Sequence, residues 1–213
     1  MGKSIEVLTK FTGKKPRGWT APAWDTSKQT IKVLEEFGIV SFLFCSLDID
    51  DPDKIQEYDH SFMHHDCQPY YVPNGEEEWK ETNVKNATST WMEPMSKISP
   101  SKVVEIPANW HLDDWPPFVV SFKAHTAQGY VSPDVIENLW KKQFDYFYRE
   151  YDTFIFPITI HPQVSGKPQV ILMHESIIEY INSHEGVEWV TMEQMVDEFK
   201  SGKMPGAVVE GGV

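Results

Sequence analysis

The sequence predicts an α/β fold, and three observations carry that prediction. From Ser132 onward the pattern alternates helix, strand, helix, strand, helix, the order expected of a parallel sheet or barrel. The run Phe154-Ile-Phe-Pro-Ile-Thr-Ile160 is too short for an independent helix and apolar enough for a buried strand, and it stops on His161. Helix-start signatures of the Ser/Thr-x-x-Gln and Ser-Pro types punctuate the remainder. In α/β folds ligands meet catalytic groups at the carboxyl ends of strands, so a histidine closing such a strand is a candidate proton-transfer group.

Taken in order, Lys3–Phe11 has a weak helical pattern through Ile5, Leu8 and Phe11. Gly18–Ala21 reads as a short strand running into Pro22-Ala-Trp24. Thr26-Ser-Lys-Gln29 has the form of a capping box, after which Ile31, Leu34 and Phe37 share a helical face until Gly38. Val103-Val-Glu-Ile106 is strand-like. Ser132-Pro133 opens a helix that carries Ile136, Leu139, Trp140, Phe144 and Phe147 inward. The strand 154–160 follows, with Pro157 forfeiting one ladder bond. Gly166-Lys-Pro168 opens the next helix, with Val170, His174, Ile177 and Ile181 on one face. Val187-Glu-Trp-Val190 reads as a strand, and Thr191-Met-Glu-Gln194 as a second capping box before Met192, Met195, Val196 and Phe199. The segment from Gly206 reads as a frayed end.

A chain of 213 residues, 40% hydrophobic and 24% charged, is that of one globular domain. Its net charge of −13 opposes binding to nucleic acid or to an anionic membrane surface. The first residues contain no apolar signal region and nothing approaches a membrane span, so a cytoplasmic protein is expected. Two cysteines, Cys45 and Cys67, are too few for a disulfide framework.

Gly18-Trp-Thr-Ala-Pro-Ala-Trp24, Asn109-Trp-His-Leu-Asp-Asp-Trp-Pro116 and Ile158-Thr-Ile-His-Pro-Gln-Val-Ser-Gly-Lys-Pro168 together resemble the later motifs of the polysaccharide deacetylase (NodB-homology) family. The resemblance is strongest to its intracellular peptidoglycan-deacetylase-like and allantoinase-like branch. It implies that residues 1–203 form the C-terminal part of a deacetylase domain, an incomplete (β/α)7 barrel lacking its first strands, followed by a flexible tail at 204–213. Residues 40–56 then stand out as an insertion, either a lineage-specific loop or translated intron sequence.

The family hydrolyses non-peptide C–N amide bonds. A zinc-like divalent metal polarises the carbonyl, an aspartate acts as base, and a histidine protonates the leaving nitrogen. By resemblance His161 takes the acid's place. Pro22, Trp24, Asp59, His60, Trp110, Asp113, Asp114 and Trp115 line the pocket for a small-molecule or sugar amide. The family's Thr-Phe-Asp-Asp-like and His-x-x-x-His-like motifs precede the Gly18–Trp24 region, and residues 1–17 contain neither Asp nor His. The chain alone is therefore expected to bind no metal and to lack amidase activity. Where many members carry an arginine in the first motif, Thr20 stands here.

Two other readings stay open: hydrolysis of a small cyclic ureide, and a noncatalytic partner that docks on an intact paralogue as an oligomer, through the sheet edge that the missing strands expose. Within the residues themselves, His60 and His64 at a spacing of four form a zinc geometry only if that segment is helical. The nearby Pro69 suggests a loop instead. His111 beside Asp113 and Asp114 is read equally as an oriented imidazole or as part of a solvated loop. Cys67 lacks an oxyanion-hole loop that would make it a nucleophile. No acidic or metal partner is assignable to His125, His174 or His184.

Overall fold

The computed structural model describes residues 1–39, 57–74, 83–92, 99–121 and 129–207, with side chains through 36 in the first of these. The insertion expected at 40–56, the inward role of Phe37, and His125 all lie outside the described residues. The chain divides into two compact units, Met1–Pro107 with Thr191–Val213, and Ala108–Val190.

The first unit is built on a four-stranded sheet in the order β1 (Gly18–Trp19), β2 (Tyr58–Asp59), β4 (Pro100–Glu105), β3 (Tyr70–Pro73). The strands β1, β2 and β4 are parallel, whereas β3 returns antiparallel with a register shift between Tyr71 and Pro73. Gly18 faces Tyr58, and a Cβ there would lie 2.0 Å from the tyrosine ring, so the parallel pairing requires glycine at this position. Helix α2 (Thr30–Ile39) sets Ile31 and Leu34 against Val72, Val103 and Phe62 to make the unit's core. The helix begins later than the Thr26-Gln29 capping box predicts. Its first turn is closed by Ser27, whose N–H donates to Thr30 Oγ1 at 2.9 Å.

Helix α1 (Gly2–Thr12) forms as the pattern suggests but buries none of its residues. It ends on Gly13 in the left-handed conformation, whose N–H donates to the Thr9 carbonyl. Helix α7 (Met192–Lys200) starts on Thr191 with both halves of the predicted capping box formed. Its Asp197 and Lys200 join Arg17 and Glu57 in one ion-pair group, and the guanidinium of Arg17 leads in holding Glu57 down to about 2. The N–H of Ala207 donates to the Pro69 carbonyl at 2.9 Å.

The second unit is helical and aromatic. Short helices α3 (Trp115–Phe118) and α5 (Pro162–Ser165) flank the long α4 (Pro133–Glu150) and α6 (Pro168–Asn182). Trp140 and Phe144 from α4 meet Val170, Met173, Ile177 and Ile181 from α6 in a buried core. Phe144 touches Phe154 and Phe156 edge-on at 5.5 Å each. Leu139, expected inward, is exposed, and Met173 fills the core place on α6 that periodicity left to His174.

Two predicted strands are corrected here. Residues 154–160 run without a ladder except at Thr159, which makes a single parallel bridge with Asp113. The cause is local: Pro157 has no N–H to donate, and the partner segment emerges directly from the 3-10 turn Trp110–Leu112. Residues 187–190 form no strand either, and Trp189 stands exposed with its indole N–H on Asn182 Oδ1. Among the described residues no helix is long and apolar enough to cross a membrane.

Candidate active site

In the second unit the bridge at Thr159 places His161 beside the Asp113-Asp114 pair. The Thr159 N–H donates to the Leu112 carbonyl at 2.9 Å and the Asp114 N–H to Thr159 at 3.2 Å. That alignment delivers His161 to Asp114 twice. Its backbone N–H reaches Asp114 Oδ1 at 2.9 Å, and its Nδ1 reaches the same oxygen at 2.9 Å. A carboxylate only accepts, so Nδ1 carries the hydrogen and Nε2 keeps the lone pair. The other oxygen of Asp114 accepts from the Ser165 hydroxyl. Asp114 is fully buried, yet both its oxygens are satisfied.

Asp113 is the quieter neighbour. Its Oδ1 accepts the Trp115 N–H at 2.8 Å and lies 3.4 Å from His161 Nδ1. Burial pushes its carboxyl upward, against the pull of that N–H and of His161. The Trp115 ring packs on His161 at a tilt of 48°, with centroids 5.0 Å apart. Trp110 is half-exposed on its 3-10 turn, and His111 points to solvent with its N–H held by Asn109 Oδ1. The acids at 113 and 114 are thus buried and serve His161, which overturns both the solvated-loop reading and the pairing with His111.

The remaining predicted residues lie in the first unit and form their own group. Asp59 and His60 close β2, fully or nearly buried. His60 Nδ1 lies 2.7 Å from the Ile106 carbonyl, so this nitrogen carries the hydrogen, and burial lowers the ring's basicity. Trp24 packs edge-on against His60 at 5.9 Å. The Pro22–Trp24 turn holds both Ala23 and Trp24 at positive φ, 54° and 52°, unusual for residues with side chains. It is anchored by the Ala21 N–H on Ser61 Oγ at 2.8 Å.

Sequence reasoning missed Glu105, which sits beside Asp59 with both side chains fully buried. Ser61 donates to Asp59 Oδ1, and the N–H groups of Ser61 and Phe62 donate to Glu105 Oε1. Among the described residues Asp59 Oδ2 and Glu105 Oε2 then have no donor. A charged residue inside Val103-Val-Glu-Ile106 was the available signal. Ser165 and His174, which extend the His161 group, were visible in the sequence but carried no partner there.

The zinc reading of His60 and His64 fails on geometry. The segment is not helical, His64 Nδ1 lies against the Tyr70 hydroxyl, and His65 Nδ1 accepts the N–H groups of Cys67 and Gln68. Among the described residues the group whose ligand atoms converge is Asp113, Asp114 and His161, all within 4.8 Å. The divalent metal of the resembling family does not fit it. Both oxygens of Asp114 are occupied by donors, and His161 Nδ1 faces Asp114 with a hydrogen rather than a lone pair.

No family model matches the chain. A peptidoglycan deacetylase of Helicobacter pylori is 43% identical over 197 residues, covering 92% of this chain and 61% of that protein. This likeness bears out the resemblance to the polysaccharide deacetylase (NodB-homology) family. A peptidoglycan deacetylase-like protein of Gibberella zeae is 30% identical over 206 residues, 93% of this chain and 56% of its own length. The chain thus spans less than two thirds of the curated relatives it matches. A solved structure of a polysaccharide-deacetylase-type protein from Mycobacterium smegmatis superposes with a TM-score of 0.66 at 21% identity, covering 100% of this chain and 59% of that one. The Puue allantoinase structure matches with a TM-score of 0.63 at 22% identity, over 93% of this chain and 51% of that one. These likenesses give the fold: α/β, part of a deacetylase-type barrel.

Proposed function

We propose that this chain carries the proton-donating part of a deacetylase-type site that hydrolyses a non-peptide amide C–N bond. The observation that carries the reading is the Asp114–His161 pair, which commits Nδ1 to the carboxylate and leaves Nε2 as the nitrogen that exchanges protons with a ligand. When water adds to an amide carbonyl, the C–N bond breaks only as its nitrogen gains a proton. His161 takes up a proton at Nε2 from the attacking water or from solvent and hands it to that nitrogen, while Asp114 keeps the Nδ1 hydrogen in place. Trp115 beside the ring bounds the space in which the leaving nitrogen sits. The relatives' names point to an acetamido sugar of peptidoglycan type as the substrate class.

The base and the metal of the family have no counterpart in residues 1–17, which hold neither Asp nor His. The purified 213-residue chain is therefore expected to be inactive on N-acetylated glucosamine oligomers and on cyclic ureides, with or without zinc. Zinc-dependent turnover by the chain alone overturns that expectation, and turnover of ureides alone moves the substrate class to cyclic amides. The role of His161 is tested in a chimaera that joins this chain to the part of the Helicobacter relative outside the match. Deacetylation lost in His161→Asn and in Asp114→Ala supports the role, and turnover indifferent to His161→Asn removes it.

A further inference from the structure

The hydrogen bonds around Asp114 continue past the residues assigned above. Ser165, at the end of α5, gives its hydroxyl hydrogen to Asp114 Oδ2. Its oxygen then has only lone pairs to offer, and 3.1 Å away lies Nε2 of His174 on α6. That nitrogen must therefore donate, so His174 carries its hydrogen on Nε2. All the donors converge on Asp114: His174 Nε2–H to Ser165 and Ser165 O–H to Asp114 on one side, His161 Nδ1–H to Asp114 on the other. A carboxylate held by oriented donors on both oxygens cannot swing, and its orientation sets that of the imidazole.

We propose that Ser165 and His174 are positioning residues for His161, forming a relay of donors that converges on Asp114 and so fixes the His161 tautomer and ring plane. This rests on the reading of His161 as proton donor, and it adds two residues from separate helices to that site. His174 is suited to the outer place. It is half-buried against Trp140, with rings 5.8 Å apart, and burial lowers its basicity and so favours a neutral ring with a defined tautomer. It stands in the second turn of α6, beside Met173, which fills the core. The relay transfers no proton in the ground state. Its contribution is geometric, and a side chain at 174 that donates to Ser165 by another group preserves it.

The test is long-range proton–nitrogen NMR of the uniformly 15N-labelled full chain at neutral pH, which reads ring tautomers directly and needs no activity. In the wild-type chain His161 is expected to be protonated on Nδ1 and His174 on Nε2. The opposite tautomer at either residue overturns the relay before any variant is made. Ser165→Ala and His174→Leu are expected to speed exchange of the His161 Nδ1 hydrogen with water by roughly tenfold, and His174→Gln, which keeps an N–H donor, to restore the wild-type rate. An unchanged rate in either of the first two overturns the proposal, as does a His174→Gln variant that exchanges as fast as His174→Leu. Because the readout is spectroscopic, the relay can fail while the chimaera stays active, or hold while it is inert.

Discussion

The two buried acid pairs of this chain have the same ingredients and opposite outcomes. Asp114 in the second unit and Asp59 with Glu105 in the first are all fully buried. Asp114 receives the backbone and ring N–H of His161 and the hydroxyl of Ser165. Asp59 and Glu105 receive donors on one oxygen each, leaving Asp59 Oδ2 and Glu105 Oε2 with none among the described residues. Burial, and then the charge of Asp59, raise Glu105 well above the ordinary carboxyl range, while burial pushes Asp59 up to about 6. The number of donors, rather than the depth of burial, decides whether a carboxylate here is an anion that orients a histidine or one of two carboxyls pushed upward together.

The sharpest way to break the comparison is Asp114→Ala. It strands the His161 N–H and the Ser165 hydroxyl beside a lost carboxylate, and urea denaturation is expected to show a loss of about 3 kcal/mol. A loss under about 1 kcal/mol would mean that Asp114 is no better satisfied than the acids of the first unit.

Next in size is the pH dependence of the Asp59–Glu105 pair. Both folded-state values lie above the unfolded ones, so the pair's stability is full below about pH 4 and declines as pH rises through about 6 for Asp59 and beyond that for Glu105. For Asp59 the shift from 3.8 to about 6 corresponds to roughly 3 kcal/mol across that window. Glu105→Gln keeps the acceptor for the Ser61 and Phe62 N–H groups and provides a permanent donor to Asp59. Thermal unfolding between about pH 4 and 8 is expected to decline less steeply in this variant, which becomes the more stable protein at the upper end. Parallel curves for the two proteins would place the titrating group elsewhere.

Ser61→Ala removes a donor from Asp59 and an acceptor from the Ala21 N–H, for about 1.5 kcal/mol in chemical denaturation. It also pushes Asp59 further up, extending the decline to higher pH. Asp113→Asn has the smallest effect, under about 1 kcal/mol, because an amide oxygen still accepts the Trp115 N–H.

Much of this was legible in the sequence wherever one short-range rule decides the structure. The Thr191-Gln194 box, the Ser132-Pro133 helix start and the inward Trp140, Phe144 and Phe147 follow from local chemistry. The family motifs place Asp113, Asp114 and His161 at one site. What was not legible depended on partners distant in the chain. The run at 154–160 has a strand's composition but lacks a neighbour to pair with, apart from the bridge at Thr159. Glu105 acquires its meaning only when parallel pairing sets it beside Asp59. His174 sat on an apolar helical face with nothing in its own segment to explain it, and its partner is on another helix.

The parallel register of β1, β2 and β4 also has a kinetic consequence. Gly18 pairs with Tyr58, and Tyr58 with Val104, so each contact closes a long loop before any ladder energy is gained. The helices α4 and α6, by contrast, make their backbone hydrogen bonds within their own segments before they pack on each other. During refolding, hydrogen-exchange labelling should protect the amides of those helices ahead of those in the sheet. While the sheet is still open, Asp59 and Glu105 remain in water, each with its own charge.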